Sequence, residues 1–435
     1  MLTNLTLSAL GCPGHAVEEG LVRISFAVVI AAALVLSTTA ATASAKTVGA
    51  PPVQFVRASL STGTVSGIVG GSTLTLAKNG LSAGSYDDPF DNPDRGAIAY
   101  QSGSWTSTWT TVAFAFDELV ASWNAETPAG TWIRTEMQAA GSGRETKWYT
   151  MGIWASGDGD IHRTSVGGQG DTDGFIAIDT FIRDKKAPAL DSYRLRVTLY
   201  RASGRATPSV RMVGAMTSAG TTYTIPSAFG GRASDNNVPS YSQEIHEGEF
   251  LEYDNGGEAW CSPTSTAMIL AYWGTGPNAT DLAGFPGPGY TDPQVDYAAR
   301  YVYDWHYQGA GNWPDNTAYA ARFGLNAFVT RLRSLSEAEL FTNAGIPLVA
   351  SIQGNLPGFF FKKTSGHLLV IRGFTATGDV IANDPAVPTD ADVTKVYGRA
   401  DFENVWLGGS AGIVYVIYPP GHALPAPVPG LPPNW

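Results

Sequence analysis

Cys261, His367 and Asp384 are residue types from which a nucleophile, its base and the group that orients the base can be assembled. Cys261 stands in "GGEAWCSPTSTAMILAYWG", residues 256–274, and is one of only two cysteines in the 435-residue chain; the other is Cys12. It immediately precedes the helical-looking run "STAMILAYWG", which ends at Gly274. Pro263 suits a first helical turn because its missing N–H would have had no partner there. A thiol at that end of a helix faces the positive pole of the dipole and several free N–H groups, which favour the thiolate. The pKa of such a thiol falls from ~8.5 to roughly 3.5–7.5. The same N–H groups can hold the oxyanion of an acyl transfer.

The base has five candidates beyond residue 45. His422 lies in a Pro-rich tail, His162 in a strand-rich first half, His246 in an acidic connecting segment, and His306 near a helix end among aromatics. His367 differs, because it opens the apolar strand "HLLVIRGF" after Ser365-Gly366, whose flexible backbone would admit a substrate. Asp384 ends a neighbouring strand in "VIANDP". Adjacent antiparallel strands, with His at the start of one and Asp at the end of the next, bring both to one edge. The carboxylate then accepts from one ring nitrogen and leaves the other facing the thiol.

These stretches carry a family resemblance. "VPSYSQ", "WCSPTS", "GHLLV" and "NDP", in that order across about residues 238 to 418, resemble the papain-like cysteine peptidases. Within them the chain is similar to the bacteriocin-leader-processing group, family 39 of the cysteine peptidases. The resemblance implies Cys261 as nucleophile, His367 as base, Asp384 as orienting group and Gln243 as oxyanion donor. One departure concerns Gln243: it precedes Cys261 by 18 residues, more than the family's usual spacing, with "EIHEGEFLEYDNGGEA" between.

The elements that must position these residues fall into two halves. Residues 50–230 read as an all-β sandwich, jelly-roll-like. "YRLRVTLY" sets Tyr193, Leu195, Val197 and Leu199 on one face and Arg194, Arg196 and Thr198 on the other. "STLTL", "STWTTVAFAF", "GTWIRTEMQA" and "GFIAIDTFI" add further strands between Gly, Asp, Asn and Pro clusters. The segment "TSAGTTYTIPSAFGGRASDNNVPS", residues 217–240, reads as an interdomain linker. Residues 231–418 read as an α+β domain of papain-like type, helices first and strands afterwards. Helices are expected in "DPQVDYAARYVYDW" and "NTAYAARFG", and in "SEAELFTNAG" behind a capping box of Ser336 and Glu339. Strands are expected in "PLVASI", "HLLVIRGF", "VIAND" and "GIVYVIYP". The tail 419–435 carries seven prolines and should be extended rather than packed.

Residues 1–45 have the layout of a signal peptide. Arg23 precedes a 13-residue apolar run, Ile24 to Leu36, and Ala43-Ser44-Ala45 gives an A-x-A cleavage site. A bilayer span needs ~20 residues. The protein should therefore be secreted, with no membrane association after cleavage, and Cys261 should then stand alone. The net charge of −11 disfavours nucleic acid as a partner.

Asp87, Asp88, Asp91 and Asp94, and Asp158, Asp160, Asp171 and Asp173, could ligate Ca²⁺ but match no EF-hand loop; Asp-rich turns are the simpler reading. Trp105, Trp109, Trp123, Trp132, Trp148 and Trp154 could stack on sugars of a cell wall or polysaccharide, or simply fill the sandwich. The chemistry needs no metal or nucleotide cofactor. The expected activity is hydrolysis of a peptide or protein through a thioester. The alternatives are an acyltransferase or transglutaminase-like enzyme with the same triad, and a non-catalytic cell-wall or polysaccharide-binding protein.

Overall fold

The computed structural model describes residues 51–91, 96–220, 222–283, 285 and 290–435. The proposed signal peptide, Cys12 and Asp94 lie outside them.

Two antiparallel sheets occupy residues 53–218. The first, seven-stranded, runs in the order Gly174–Ala177, Thr180–Arg183, Glu118–Glu126, Ser209–Ser218, Leu74–Leu76, Ile68–Val69, with Val53–Arg57 also on Ser209–Ser218. The second, eight-stranded, centres on Leu190–Ala202 between Thr131–Gly141 and Ile98–Thr106. Alternation decides which faces are buried. Tyr193, Leu195, Val197 and Leu199 point into the core, while Arg196 on the other face forms a two-pronged bond with Glu136 at 2.7 and 2.8 Å. "GFIAIDTFI" is two strands rather than one, because the chain turns at Ile178, where φ is 58°. Four of the six tryptophans of this half, Trp105, Trp123, Trp132 and Trp154, are buried. Trp109 and Trp148 lie under the guanidinium of Arg194, at 4.5 and 5.3 Å.

The C-terminal part is α+β. Its six helices among the described residues are α1 (Cys261–Tyr272), α2 (Ala279–Leu282), α3 (Pro293–Val302), α4 (Trp313–Arg322), α5 (Leu335–Asn343) and α6 (Arg399–Ser410). Its antiparallel sheet runs Asn326–Arg331, Ile413–Tyr418, Leu348–Asn355, Lys363–Phe374, Val380–Asn383, Thr394–Tyr397. Here α6 breaks the expected order of helices before strands. Gly409 within it lies so close to the main chain of Gln353 that a Cβ would sit 2.5 Å from the carbonyl oxygen. The cap of α5 is Ser334, whose hydroxyl accepts from Glu337 N at 3.3 Å, not Ser336. Both serines begin an S-x-x-E pattern. Ser336 instead donates to Ala228 O, and Glu339 accepts from Gly230 N.

Those last two bonds show that the segment expected as a linker is not free. Ser234–Asp235 pairs with Lys363–Phe374, and Ser227 binds Glu403, so the segment is fastened to the C-terminal part. The two parts also share a buried interface. Asn124 exchanges hydrogen bonds with Ala327 at 2.7 and 3.2 Å, Asp179 accepts from Trp313 N, and Phe55 stacks on Phe328 at 4.3 Å. The tail is extended, as its prolines require, but it is packed. Asn434 is fully buried, donates to Arg331 O and Glu337, and accepts from Arg333. Phe55 N bonds Pro433 O at 3.0 Å, so the tail joins both parts.

Candidate active site

Cys261 is the first residue of α1, after Trp260 at the N-cap. One and two turns on, Ser265 and Met268 share its face of the helix. Ser265 Oγ donates to Leu368 O at 3.2 Å, and Met268 Sδ lies 3.7 Å from Asn383 Nδ2. The face bearing Cys261 is therefore laid against the strands that carry His367 and lead to Asp384.

His367 Nε2 is 2.7 Å from Asp384 Oδ1, both side chains being buried. The second oxygen of Asp384 accepts from Tyr397 Oη at 2.6 Å, and Oδ1 also accepts from Ala386 N at 3.1 Å. Burial alone would raise the pKa of this carboxyl. The charge and hydrogen bond of His367, with the bonds from Tyr397 and Ala386, outweigh burial and hold it below the usual carboxylate range. Burial, and then the same carboxylate, push the Tyr397 hydroxyl far upward, so it stays a donor. His367 is thus oriented through Nε2, and its Nδ1 remains for other use. Phe359 covers the ring at 5.1 Å between centroids.

His367 does not open its strand. Pairing starts at Lys363 and continues through Ser365-Gly366, so that stretch is strand rather than a flexible entrance. A bulge between Ile352 and Gly354 on the partner strand lies beside His367. Bulges re-aim side chains in this way near functional sites.

Gln243 is fully buried. Its side-chain amide donates to Glu258 O at 2.6 Å, and its main-chain N–H donates to Pro385 O at 2.9 Å. It therefore touches the approach to Cys261 and the residue after Asp384. The long excursion between Gln243 and Cys261 is pinched shut by an antiparallel bridge, Glu247 to Gly256. Short 3₁₀ turns, Glu244–His246 and Gly257–Ala259, flank it. Gly257 permits the closure, since a Cβ there would meet Gln243 O at 2.3 Å.

Cys261 is disulfide-bonded in the full chain, whereas a lone thiol is the expectation for the chain without residues 1–45. The nucleophile of thiol chemistry is the thiolate, so the site's chemistry belongs to the reduced chain.

The other histidines sit apart from this pair. His162 is bound to Asp88, His306 is exposed, and His422 donates to Ala344 O. His246 faces Glu249 and Asp296, a cluster that sequence spacing does not reveal because Asp296 comes from α3. Four carboxylates of the acidic turns bond protein donors: Asp88 to His162 and Phe90, Asp158 to Arg300, Asp171 to Tyr149 and main-chain N–H groups, Asp173 to Arg144.

Comparison with known proteins agrees with the resemblance. Residues 54–218 match the family described as peptidase C39 N-terminal domain, and residues 235–411 match the peptidase C39-like family. A provisionally assigned C39-like peptidase from Bacillus anthracis aligns at 19% identity, over 42% of this chain and 97% of that one, with a TM-score of 0.28. A structure of the infectious bursal disease virus Gt strain aligns at 12% identity, over 40% of this chain and 35% of that one, with a TM-score of 0.20. No curated protein matches the chain. Among the described residues no helix is long and apolar enough to cross a membrane.

Proposed function

We propose that the chain is a secreted cysteine peptidase of papain-like type, acting on peptide bonds through a thioester on Cys261. The carrying observation is the buried His367–Asp384 pair, 2.7 Å apart, on strands packed against the helix that Cys261 begins. The match of residues 235–411 to the C39-like peptidases suggests the same activity. In the reduced chain, His367 Nδ1 and Cys261 would form an imidazolium–thiolate pair, with Asp384 stabilising the cation. The thiolate attacks the peptide carbonyl, and a proton from His367 goes to the leaving amine. Water then attacks the thioester, giving its proton back to His367, and the acid leaves. The Gln243 amide and the free N–H groups at the start of α1 are the donors for the oxyanion. The β-rich half, proposed as a jelly-roll-like sandwich, would hold substrate or a cell-wall polysaccharide.

The test is incubation of the reduced chain lacking residues 1–45 with a peptide library, with and without added amines, read by mass spectrometry. Cleaved acids are the expected products. Amide products with the amines would move the assignment to acyl transfer, and no product in either arm would point to a binding protein.

A further inference from the structure

His246, Glu249 and Asp296 come from two parts of the fold, the first two from the excursion after Gln243 and the third from α3. One ligand atom from each lies within 4.8 Å of the other two, and they are the only such trio of His, Cys, Asp or Glu among the described residues. His246 and Asp296 are 0% exposed, while the Glu249 side chain keeps 20% of its surface in solvent.

The hydrogen-bonding count does not close. The ring nitrogen Nδ1 of His246 lies 2.8 Å from Glu249 Oε2 and 3.3 Å from Asp296 Oδ2. A single Nδ1–H can serve one of these carboxylates, and Glu249 is the closer. Asp296, fully buried, is left with the longer ion pair to His246 and a carboxyl contact with Glu249, so two carboxylates share one imidazole. Two buried carboxylates facing one imidazole are expensive, and such clusters occur chiefly where a proton or a metal ion answers the charge.

We propose that these three residues bind a divalent transition-metal ion, with Zn²⁺ fitting best. One imidazole nitrogen and two carboxylates are a donor set suited to zinc rather than to calcium or magnesium, which take oxygen alone. Two carboxylates balance the ion's charge, and the ion replaces the proton on Nδ1. Ligands about 2.0–2.2 Å from zinc in a tetrahedron stand ~3.3 Å apart. Nδ1 and Asp296 Oδ2 already have that separation, and Glu249, the one exposed ligand, has room to move outward. The ion ties the Gln243–Cys261 excursion to α3.

The experiment uses the full chain carrying Cys12→Ser and Cys261→Ser, without an affinity tag, so that neither a thiol nor added histidines compete. The protein is dialysed against EDTA, then titrated with ZnCl₂ by calorimetry, and its retained metal is counted by mass spectrometry. The expected result is one Zn²⁺ per chain, with a Tm that rises on addition and falls back with EDTA. Asp296→Asn should weaken binding at least tenfold. Glu249→Gln, on the most accessible of the three side chains, should weaken it too, while Asp384→Asn should leave the titration unchanged. No uptake and no Tm change with Zn²⁺ or Mn²⁺ would overturn the proposal and leave a proton-sharing cluster. Undiminished binding in both Asp296→Asn and Glu249→Gln would also overturn it.

Discussion

Gln243 and Glu258 are fifteen residues apart in the chain, yet the side-chain amide of one donates to the carbonyl of the other at 2.6 Å. The excursion between them departs and returns to nearly the same point, held at its neck by the Glu247–Gly256 bridge. The extra length between Gln243 and Cys261 therefore leaves the glutamine at the approach to Cys261. Gln243→Ala should lower kcat by roughly 10²–10³, the cost of one oxyanion donor. Alkylation of Cys261 in the reduced protein should stay nearly as fast as in wild type. A variant with unchanged kcat would remove Gln243 from the oxyanion site.

The roles of His367 and Asp384 separate in the same pair of assays. In the reduced chain lacking residues 1–45, iodoacetamide should label Cys261 rapidly at mildly acidic pH, where an ordinary thiol is protonated. His367→Ala should abolish turnover and push labelling up toward about pH 8, the behaviour of a free thiol. Asp384→Asn should keep the fold, because Asn has the same shape and its one carbonyl oxygen can still accept from Tyr397, and should keep much of the labelling. Its kcat should fall, since the ring loses the charge that fixes its orientation. Wild-type turnover in His367→Ala would end the assignment.

Much of this site is legible in the sequence because its signals are local. The strand patterns around His367 and Asp384 put both at one edge, and the cysteine's place at a helix start depends on Pro263 and the apolar run behind it. What stays hidden depends on partners remote in the chain. Asn434 looks like an ordinary tail residue, but its partners Arg331, Arg333 and Glu337 lie about a hundred residues earlier. The Gly-, Ser- and Asn-rich stretch before residue 235 has linker composition, yet Glu339, Glu403 and Arg399 supply bonds that composition cannot forecast. Even the capping box turns on such competition. Ser334 and Ser336 satisfy the same pattern, and Ala228 O captures the second.

That packing changes what truncation should do. Cutting near residue 230 would strip Asn124 from Ala327, Phe55 from Phe328 and Pro433, and Asp179 from Trp313. Buried apolar surface and unpaired main-chain groups would then face water. A fragment of residues 231–435 should be insoluble or loosely folded and inactive on small peptides, by circular dichroism and peptide assay. Co-expression with residues 46–230 should restore it. A soluble, active fragment expressed alone would show that the interface is dispensable.

Glu244 follows Gln243 directly, and its carboxyl is pushed up to about 7, by burial first and then by the negative charge of Glu258. The Gln243 side chain bonds it and opposes the shift, while Glu247 and Asp384 add to it. Below pH 7 the group is neutral; above it, a carboxylate stands beside the glutamine that would receive the oxyanion. That negative charge works against the one developing on the substrate, so kcat/KM should decline as pH rises through about 7. Glu244→Gln should remove this decline and leave the acidic limb in place. Stability follows the same sign. A carboxyl whose folded pKa exceeds its unfolded value costs nothing below about pH 4.5, and the cost grows until the group is ionised in both states, above about 7. Glu244→Gln should therefore raise the Tm at pH 8 and leave it unchanged at pH 4. Measuring both profiles distinguishes an electrostatic role from a structural one. A variant whose kcat/KM still falls through pH 7 in parallel with wild type would show that another group sets that limb.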